Sequence, residues 1–333
     1  MLRTLFISLL LISTTACSSL SYKELILNDS NGEMLSQVSG LGRFNDWVVV
    51  LVQDQNDLYL ISDAQLTQAF EQKQQSIRLQ PVQLKVEGLD TASWEAVEFA
   101  SVDGKHFIFL FHEHDYDGDN HQVYSAEVAL SPNSFTVSKL EKLGPALPLL
   151  QNKEISLARR ENYGYEAIIW DEKTERLLLL PELKSQPKFA LTLSGELITL
   201  KAADHELRAS DLTSVPQQCA IATSFCYQSD SFTDALCTGN GGTPKLSLAS
   251  FKITDEGLAL IESKDHTKDL MPVGFDPTYS KSSKLSRTFN AEGIVDFNGG
   301  FLLANDNKPQ GKSRTVIRYL TDIKLDPISC EFD

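Results

Sequence analysis

The chain has 333 residues, 42% of them hydrophobic, and a formal net charge of −15 at neutral pH. An acidic surface repels phosphate backbones, and no basic patch interleaved with aromatic residues is visible, so we expect no nucleic-acid partner. Beyond the N-terminal region no apolar run is long enough to cross a bilayer.

The N-terminal region has the layout of a secretory signal, with Arg3, an apolar run over residues 5–12 and small residues before Cys17. Its segment STTAC resembles a bacterial lipobox, in which cleavage leaves a cysteine that carries the lipid. Ser18 follows this cysteine, where an aspartate would resemble an inner-membrane retention signal. We therefore expect a lipoprotein signal peptide (1–16), a lipidated linker (17–30), and attachment to the outer membrane through this lipid. An ordinary cleaved signal is the alternative.

The next elements along the chain are short apolar, β-branched or aromatic runs separated by Gly, Asn, Asp and Pro clusters, which predict an all-β protein over residues 31–333. One exception is DAQLTQAFEQKQQ, from Asp63, which predicts a short surface helix with an exposed Gln-rich end.

Three phrases in these runs place a Glu before a small residue and then an aliphatic residue. They are SWEAVEF around Glu95, GYEAIIW around Glu166 and NAEGIVD around Glu292. Two fainter copies place Ser39 and Ser210 at the same position. Each copy is followed by a second and a third apolar run, so each repeat predicts a meander of antiparallel strands.

The spacing between the five copies is unequal, which argues against a regular solenoid and for a β-propeller, whose blades tolerate insertions. We predict one β-propeller of five or six four-stranded blades, with a pair of β-sandwiches as the alternative. GLALIES, which precedes the last copy, is either an outer strand or part of an additional blade.

Two segments, RRENYGYEAIIWDEKTERLLLLPE and SRTFNAEGIVDFNGGFLLANDN, resemble the blade signature of the phytase-like, or esterase-like, β-propeller family of exported bacterial proteins. That signature has an upstream Asn, then Glu before Gly or Ala, and a second strand ending in an acid. The matching residues are Asn162, Glu166 and Glu182 in the first segment, and Asn290, Glu292 and Asp306 in the second. The resemblance implies a propeller and a hydrolase of phosphate or carboxylic esters.

Equivalent positions of successive blades converge on a propeller's axis. We therefore expect a ring of Glu95, Glu166 and Glu292, and a second ring at the ends of the second strands, formed by Asp54, Glu113, Glu182, Asp230 and Asp306. Several carboxylates around one cavity need a compensating cation, and calcium, which prefers oxygen ligands, suits them.

Arginines lie upstream of two of these glutamates, and arginine beside a calcium ion could hold a phosphate monoester. The predicted catalytic residues are therefore Glu166, Glu292, Arg160 and Arg287. The alternative is that each Glu pairs with backbone amides of the adjoining blade and with these arginines. The chain has no GxSxG nucleophile motif.

A further candidate metal site is EHDYDGDNH, which is close to the DxDxDG calcium loop. Its predicted ligands are Glu113, Asp115, Asp117 and Asp119, but Glu113 cannot serve both this loop and the ring. Zinc bound by His112 and His114, and a solvated turn without an ion, are the alternatives. The predicted metal ligands overall are Glu95, Glu113, Asp115, Asp117, Asp119, Glu182 and Asp306.

Near the C-terminus, an even number of cysteines besides Cys17 predicts disulfides with three possible pairings among Cys219, Cys226, Cys237 and Cys330. Three of them are close enough in sequence for a local bridge, and Cys330 could tie the C-terminus to that region. Two functions remain open. The first is calcium-dependent hydrolysis of a small-molecule ester, and the second is non-catalytic binding of a periplasmic or surface protein.

Overall fold

The computed structural model describes residues 21–53, 55–85, 93–113, 121–132, 134–147, 165–181, 187–201, 209–226, 245–270, 289–306 and 315–332, with the backbone alone at 225, 226, 245, 268, 269, 290 and 306. These residues form five antiparallel sheets, each a blade of one propeller. The innermost strand of each blade is the first one named for that blade below.

The first four blades each follow the order of the sequence from the inside outward. Blade I contains β2 (Val38–Phe44), β3 (Trp47–Val52), β4 (Asp57–Ser62) and β6 (Gln80–Gln83). Blade II contains β7 (Trp94–Val102), β8 (Lys105–His112), β9 (Gln122–Ser131) and β10 (Ser134–Val137), with β11 (Glu141–Lys142) also on β9. Blade III contains β12 (Ala167–Asp171), β13 (Arg176–Leu180), β14 (Lys188–Thr192) and β15 (Leu197–Leu200). Blade IV contains β16 (Ala209–Val215), β17 (Cys219–Cys226), β18 (Lys245–Thr254) and β19 (Gly257–Asp265).

Blade V is completed by the N-terminal part of the described chain. It contains β20 (Asn290–Phe297), β21 (Gly300–Asp306), β22 (Val316–Leu320), β1 (Tyr22–Asn28) and β5 (Ser76–Arg78). β1 pairs antiparallel with β22, with Tyr22 opposite Leu320, and parallel with β5. The segment 17–30, predicted as a linker, therefore includes a propeller strand, because blade V needs an outer strand that its own segment does not supply.

The hydrophobic core consists of five clusters, and each lies between two successive blades, including the pair formed by blade V and blade I. Both faces of each blade are thus covered, which explains why strands such as β3 (WVVVLV) read as continuous apolar runs rather than alternating ones. The five clusters close the ring and confirm a propeller, with five blades. GLALIES begins β19, the outer strand of blade IV, and not a sixth blade.

The predicted helix is present as α1 (Asp63–Glu71), and a second, short helix, α2, spans Thr267–Leu270. Ser62 caps α1 through a capping box with Gln65, which satisfies free N–H groups at its start. The helix is shorter and less exposed than predicted, because Leu66 and Phe70 pack into the core between blades V and I. No helix in the described ranges is both long and apolar enough to span a membrane.

One disulfide joins Cys219, at the start of β17, to Cys330, with Cα atoms 5.5 Å apart. This bond ties the C-terminal segment to blade IV, in agreement with the predicted role of Cys330. The side chain of Cys226 and all of Cys237 lie outside the described residues, so the predicted local bridge stays a prediction.

Candidate active site

The repeated position identified in the sequence coincides with a repeated irregularity in the innermost strands. In blades I, II, IV and V the register between the first two strands shifts around Ser39, Glu95, Ser210 and Glu292. In blade III, Glu166 directly precedes β12. A β-bulge re-aims the side chain of the extra residue out of the regular alternation. The repeat therefore marks one position at the same end of every innermost strand.

Four glutamates meet at this end of the central channel, and we call them the glutamate cluster: Glu95, Glu113, Glu166 and Glu292. The first three are buried, with only 7% of Glu95 exposed. Burial raises the pKa of Glu95 well above its ordinary value, and the charges of Glu113, Glu166 and Glu292 raise it further. The cluster thus combines carboxyl groups from blades II, III and V, at least one of which holds its proton more tightly than usual.

Gln53 fixes the orientation of Glu95. Its side-chain Nε2 donates a hydrogen bond to Oε1 of Glu95, and its backbone N–H donates to the carbonyl of Gln37 at 2.8 Å. The hydroxyl of Ser39 donates to the carbonyl of Trp94 at 2.6 Å, which joins the bulges of blades I and II. Residues of blade I therefore hold a carboxyl group of blade II in place.

Glu113 lies in the cluster rather than apart from it. Its backbone N–H donates to the carbonyl of Ser93 at 2.9 Å, and its charge acts on Glu95. Nδ1 of His121 lies 3.9 Å from Oε1 of Glu113, while the His121 ring stacks on Phe111 with centroids 5.9 Å apart. This placement favours the ring over the hairpin as the role of Glu113.

Asp211 lies beside the repeated position of blade IV and joins the innermost strands of three blades. It follows the bulge in blade IV, at the position where the other blades have the small residues Gly40, Ala96, Ala167 and Gly293. One carboxylate oxygen accepts the N–H of Ile294 at 2.7 Å and that of Leu41 at 3.2 Å, and the other accepts that of Leu212 at 2.8 Å. Burial raises the pKa of this carboxyl, which is 1% exposed. The glutamate cluster and Asp211 thus lie at the same end of the innermost strands, and we call this buried region the cup.

A partly buried carboxyl, that of Glu98, joins blades II and III further along β7. Its oxygens accept the N–H of Phe99 at 2.7 Å and that of Trp170 at 3.4 Å. Burial raises the pKa of Glu98 to about 8, against an ordinary value of 4.5. Glu98 and Asp211 thus bond to backbone amides of adjoining blades, which is the arrangement considered above for the ring glutamates.

Most of the other predicted site residues lie outside the described part of the chain: Cys17, Asp54, His114, Asp115, Asp117, Asp119, Arg160, Glu182, Asp230 and Arg287. Asp306 ends β21 opposite Asn290, but its side chain is not described. His112, one residue of the zinc alternative, packs edge-on against Trp94 with centroids 5.1 Å apart. Among the described side chains, no three of His, Cys, Asp or Glu are arranged to hold a metal ion.

Three residues of the channel were not identified from the sequence: Gln53, Glu98 and Asp211. Asp211 carries a usable signal, because it alone places an acid where the other copies of the repeat have Gly or Ala. Gln53 immediately precedes Asp54, which the repeat predicted as a member of the second ring. The sequence prediction was therefore one residue away from the side chain that contacts Glu95.

The protein resembles known proteins in its three-dimensional structure but not in its sequence. No known protein family matches the chain, and no curated protein matches it in sequence. Among solved structures, a putative exo-β-1,3-galactanase from Bifidobacterium bifidum has a TM-score of 0.47 and 13% identity, with 92% of this chain and 93% of that one covered.

An exo-β-1,3-galactanase from Phanerochaete chrysosporium, solved with galactose, has a TM-score of 0.49 and 10% identity, covering 93% of this chain and 70% of that one. A mannose phosphorylase from Leishmania mexicana, solved with phosphate, has a TM-score of 0.44 and 10% identity, covering 93% and 91%. These likenesses are too distant to inform the activity, and nothing in them supports the phytase-like family.

Proposed function

We propose that the protein is a hydrolase and that its active site is the glutamate cluster. The observation that carries this proposal is the convergence of Glu95, Glu113, Glu166 and Glu292, from three blades, in one cup at the end of the channel. Hydrolysis by carboxyl groups needs one that holds a proton and one that does not. The pKa values of neighbouring carboxyl groups in a buried cup differ from one another, because the groups cannot all ionise at low cost. One group then keeps its proton while another is a carboxylate.

Glu95 is the proposed general acid. Its carboxyl is buried, and the amide of Gln53 fixes its orientation. It would donate its proton to the leaving-group oxygen as the bond to that oxygen breaks. Glu166 or Glu292, as the carboxylate, would take a proton from the water that attacks the other side of the bond. The raised pKa of Glu95 supports this assignment.

The cluster favours an uncharged substrate. Within the described part of the chain, the charges that act on Glu95 are those of carboxylates, and these would repel a phosphate ester. Paired carboxyl groups are the usual machinery for breaking glycosidic bonds. A glycoside is therefore the substrate class that the described residues suit best, with an uncharged carboxylic ester next.

A phosphoesterase remains a second candidate, since the predicted Arg160, Arg287 and calcium would supply the missing positive charge. Glu95, Glu113, Asp306 and the acids of 115–119 offer only oxygen ligands, which is the donor type that calcium takes. Calcium bound there would offset the negative charge of the cup. The proton transfers proposed for Glu95 and for the carboxylate of Glu166 or Glu292 do not require calcium.

The decisive experiment is a screen of nitrophenyl glycosides, nitrophenyl acetate and nitrophenyl phosphate, with calcium and with a chelator. We expect turnover of a glycoside by the wild type, and a loss of at least about 100-fold in Glu95→Gln and in Glu166→Gln. Glu127→Gln is the matched control, because Glu127 is an exposed glutamate paired with Lys105, and its activity should equal that of the wild type.

Three outcomes distinguish the candidates. Turnover of the phosphate ester alone, abolished by the chelator, would replace the glycosidase proposal with the calcium-dependent phosphoesterase. Equal activity in Glu95→Gln, Glu166→Gln and the wild type would remove the cluster as the active site. No turnover of any substrate would favour the non-catalytic alternative, in which the propeller binds a periplasmic or surface protein.

We also propose that the propeller works at the outer membrane, attached through a lipid on Cys17. The lipobox-like STTAC segment supports this location. The substrate or protein partner would then be one that reaches the cell envelope.

A further inference from the structure

The turn between β16 and β17 carries backbone strain that the equivalent turns avoid. Gln217 and Gln218 follow one another in the left-handed region, with φ of 66° and 62°. The corresponding turns are one residue shorter, and they use Asp103 and Gly104 in blade II and Asn298 and Gly299 in blade V, which adopt such angles at lower cost. A left-handed residue other than Gly, Asn or Asp costs about 1–2 kcal/mol. Blade IV therefore accepts a cost that two sister blades do not.

Neighbouring elements hold this strained turn in place. The carbonyl of Gln218 accepts the N–H of Ile253 at 2.7 Å, and the carbonyl of Gln217 accepts Nζ of Lys252 at 3.1 Å. Cys219, the next residue, is in the disulfide with Cys330. The backbone is thus fixed from three sides, so the glutamine side chains start from a defined position. Strain of this kind collects where a side chain is needed for binding or catalysis.

Both glutamines line a cavity of about 290 Å³ on the face opposite the glutamate cluster. Its other walls include Trp170, Glu172, Ser214 and Asp296. A neighbouring cavity of about 360 Å³ shares Val215, Pro216 and Asp296 with it. A volume near 300 Å³ lies at the lower end of small-molecule sites, so the first cavity suits a ligand of about one ring.

The charges around the cavity disfavour an anion. Glu172 and Asp296 contribute negative charge, while Nζ of Lys173 is bound to Asp255 at 2.9 Å. The carboxamide of a glutamine offers two donors and one acceptor, a set that matches neighbouring hydroxyl groups. Uncharged compounds with several hydroxyl groups meet both requirements, because they can bind the carboxamides and carry no negative charge.

We propose that this cavity is a second ligand site, which binds a neutral sugar ring through the side chains of Gln217 and Gln218. The site is independent of the proposed hydrolase activity. β16 has seven residues, so its two ends, and with them the two sites, lie about 20 Å apart. The buried Asp211 lies between them.

The test exploits the strain. In the double variant Gln217→Gly/Gln218→Gly the turn keeps its shape and loses both carboxamides, so the protein should be at least as stable as the wild type and yet lose sugar binding. Lys73→Gly relieves the same kind of strain just after α1, where Lys73 has a φ of 54°, away from the cavity, and is the matched control. Binding of glucose, galactose and N-acetylglucosamine in the millimolar range is followed by saturation-transfer NMR, with glucuronate and glucose 6-phosphate as charged counterparts.

We expect the wild type and Lys73→Gly to bind at least one neutral sugar, and the double glycine variant to bind it at least tenfold more weakly. Absence of binding to every neutral probe overturns the proposal, as does tighter binding of the charged counterparts. Sugar binding that survives in the double variant but disappears in Glu95→Gln belongs to the glutamate cluster, and it would also overturn the second site while leaving the proposed function intact.

Discussion

The carboxylate of Asp211 accepts the backbone N–H of Ile294 at 2.7 Å, across the boundary between blades IV and V. The same oxygen accepts the N–H of Leu41, in blade I. The innermost strands of three blades therefore converge on one side chain. The Cβ of an alanine in place of Gly293 would lie 2.7 Å from the Leu41 side chain, so the backbones approach too closely there for a larger residue.

Removing this carboxyl group should destabilise the fold. Asp211→Ala leaves the N–H groups of Ile294 and Leu41 buried without an acceptor, at about 1–3 kcal/mol each. We expect a loss of about 3 kcal/mol in the free energy of unfolding, measured by urea denaturation. Asp211→Asn keeps one acceptor oxygen and should lose less than half of that. Equal losses in both variants would show that the hydrogen bonds are not the cause.

The carboxyl group of Glu98 should make the stability of the protein depend on pH. Its pKa is about 8 in the folded chain, against 4.5 as the ordinary value, so between these values the folded state holds a proton that the unfolded state lacks. The stability that this proton contributes is fully present below the ordinary pKa, and it is lost as the pH rises to the pKa of the folded chain. The melting temperature, scanned from pH 5 to about pH 9, should therefore decline less steeply in Glu98→Gln than in the wild type. An unchanged slope would contradict the assignment, and Glu127→Gln, at an exposed position, controls for the substitution itself.

The Cys219–Cys330 disulfide should stabilise the propeller by restricting the unfolded chain. Its partners are 111 residues apart, and a closed loop of that size is expected to contribute about 5 kcal/mol. Cys330→Ser should lower the denaturation midpoint accordingly. Treating the wild type with a reductant should produce a similar loss, and the same reductant should leave Cys330→Ser unchanged. A further loss in that variant would reveal a second disulfide, involving Cys226 and Cys237.

Lipid attachment is tested by growing cells with radiolabelled palmitate. The wild type should incorporate the label and fractionate with the outer membrane, whereas Cys17→Ser should carry none, because the cysteine side chain is the predicted attachment point. Label on Cys17→Ser would refute the anchor. Cys226→Ser, which leaves the lipobox-like segment intact, controls for the loss of a thiol.

The repeat was visible in the sequence because its residues have a local signature. Glu95, Glu166 and Glu292 each precede a small and then an aliphatic residue, and the structure places the repeated position at the bulge of the innermost strand in four blades. The third runs of each copy were likewise correctly predicted as strands, because short apolar runs bounded by turn residues are informative on their own.

Long-range pairing was not visible. The closure of blade V joins Tyr22 to Leu320, and no local pattern in YKELILN specifies that partner. Five blades could not be distinguished from six for the same reason, since GLALIES fits either an outer strand or part of an additional blade until its neighbouring strand is known. Asp211 and Gln53 acquire their roles only from strands brought together by the closed ring.

The direction of β1 relates the proposed lipid anchor to the proposed active site. β1 runs antiparallel to β22 and begins beside Leu320, so the chain enters the propeller on the face that carries the Gln217 turn and leaves β1 towards the other face. Only four residues separate Cys17 from Tyr22, a reach of about 17 Å even when fully extended. A lipid on Cys17 would therefore hold the protein close to the bilayer, with the glutamate cluster on the side of the propeller that is turned away from it.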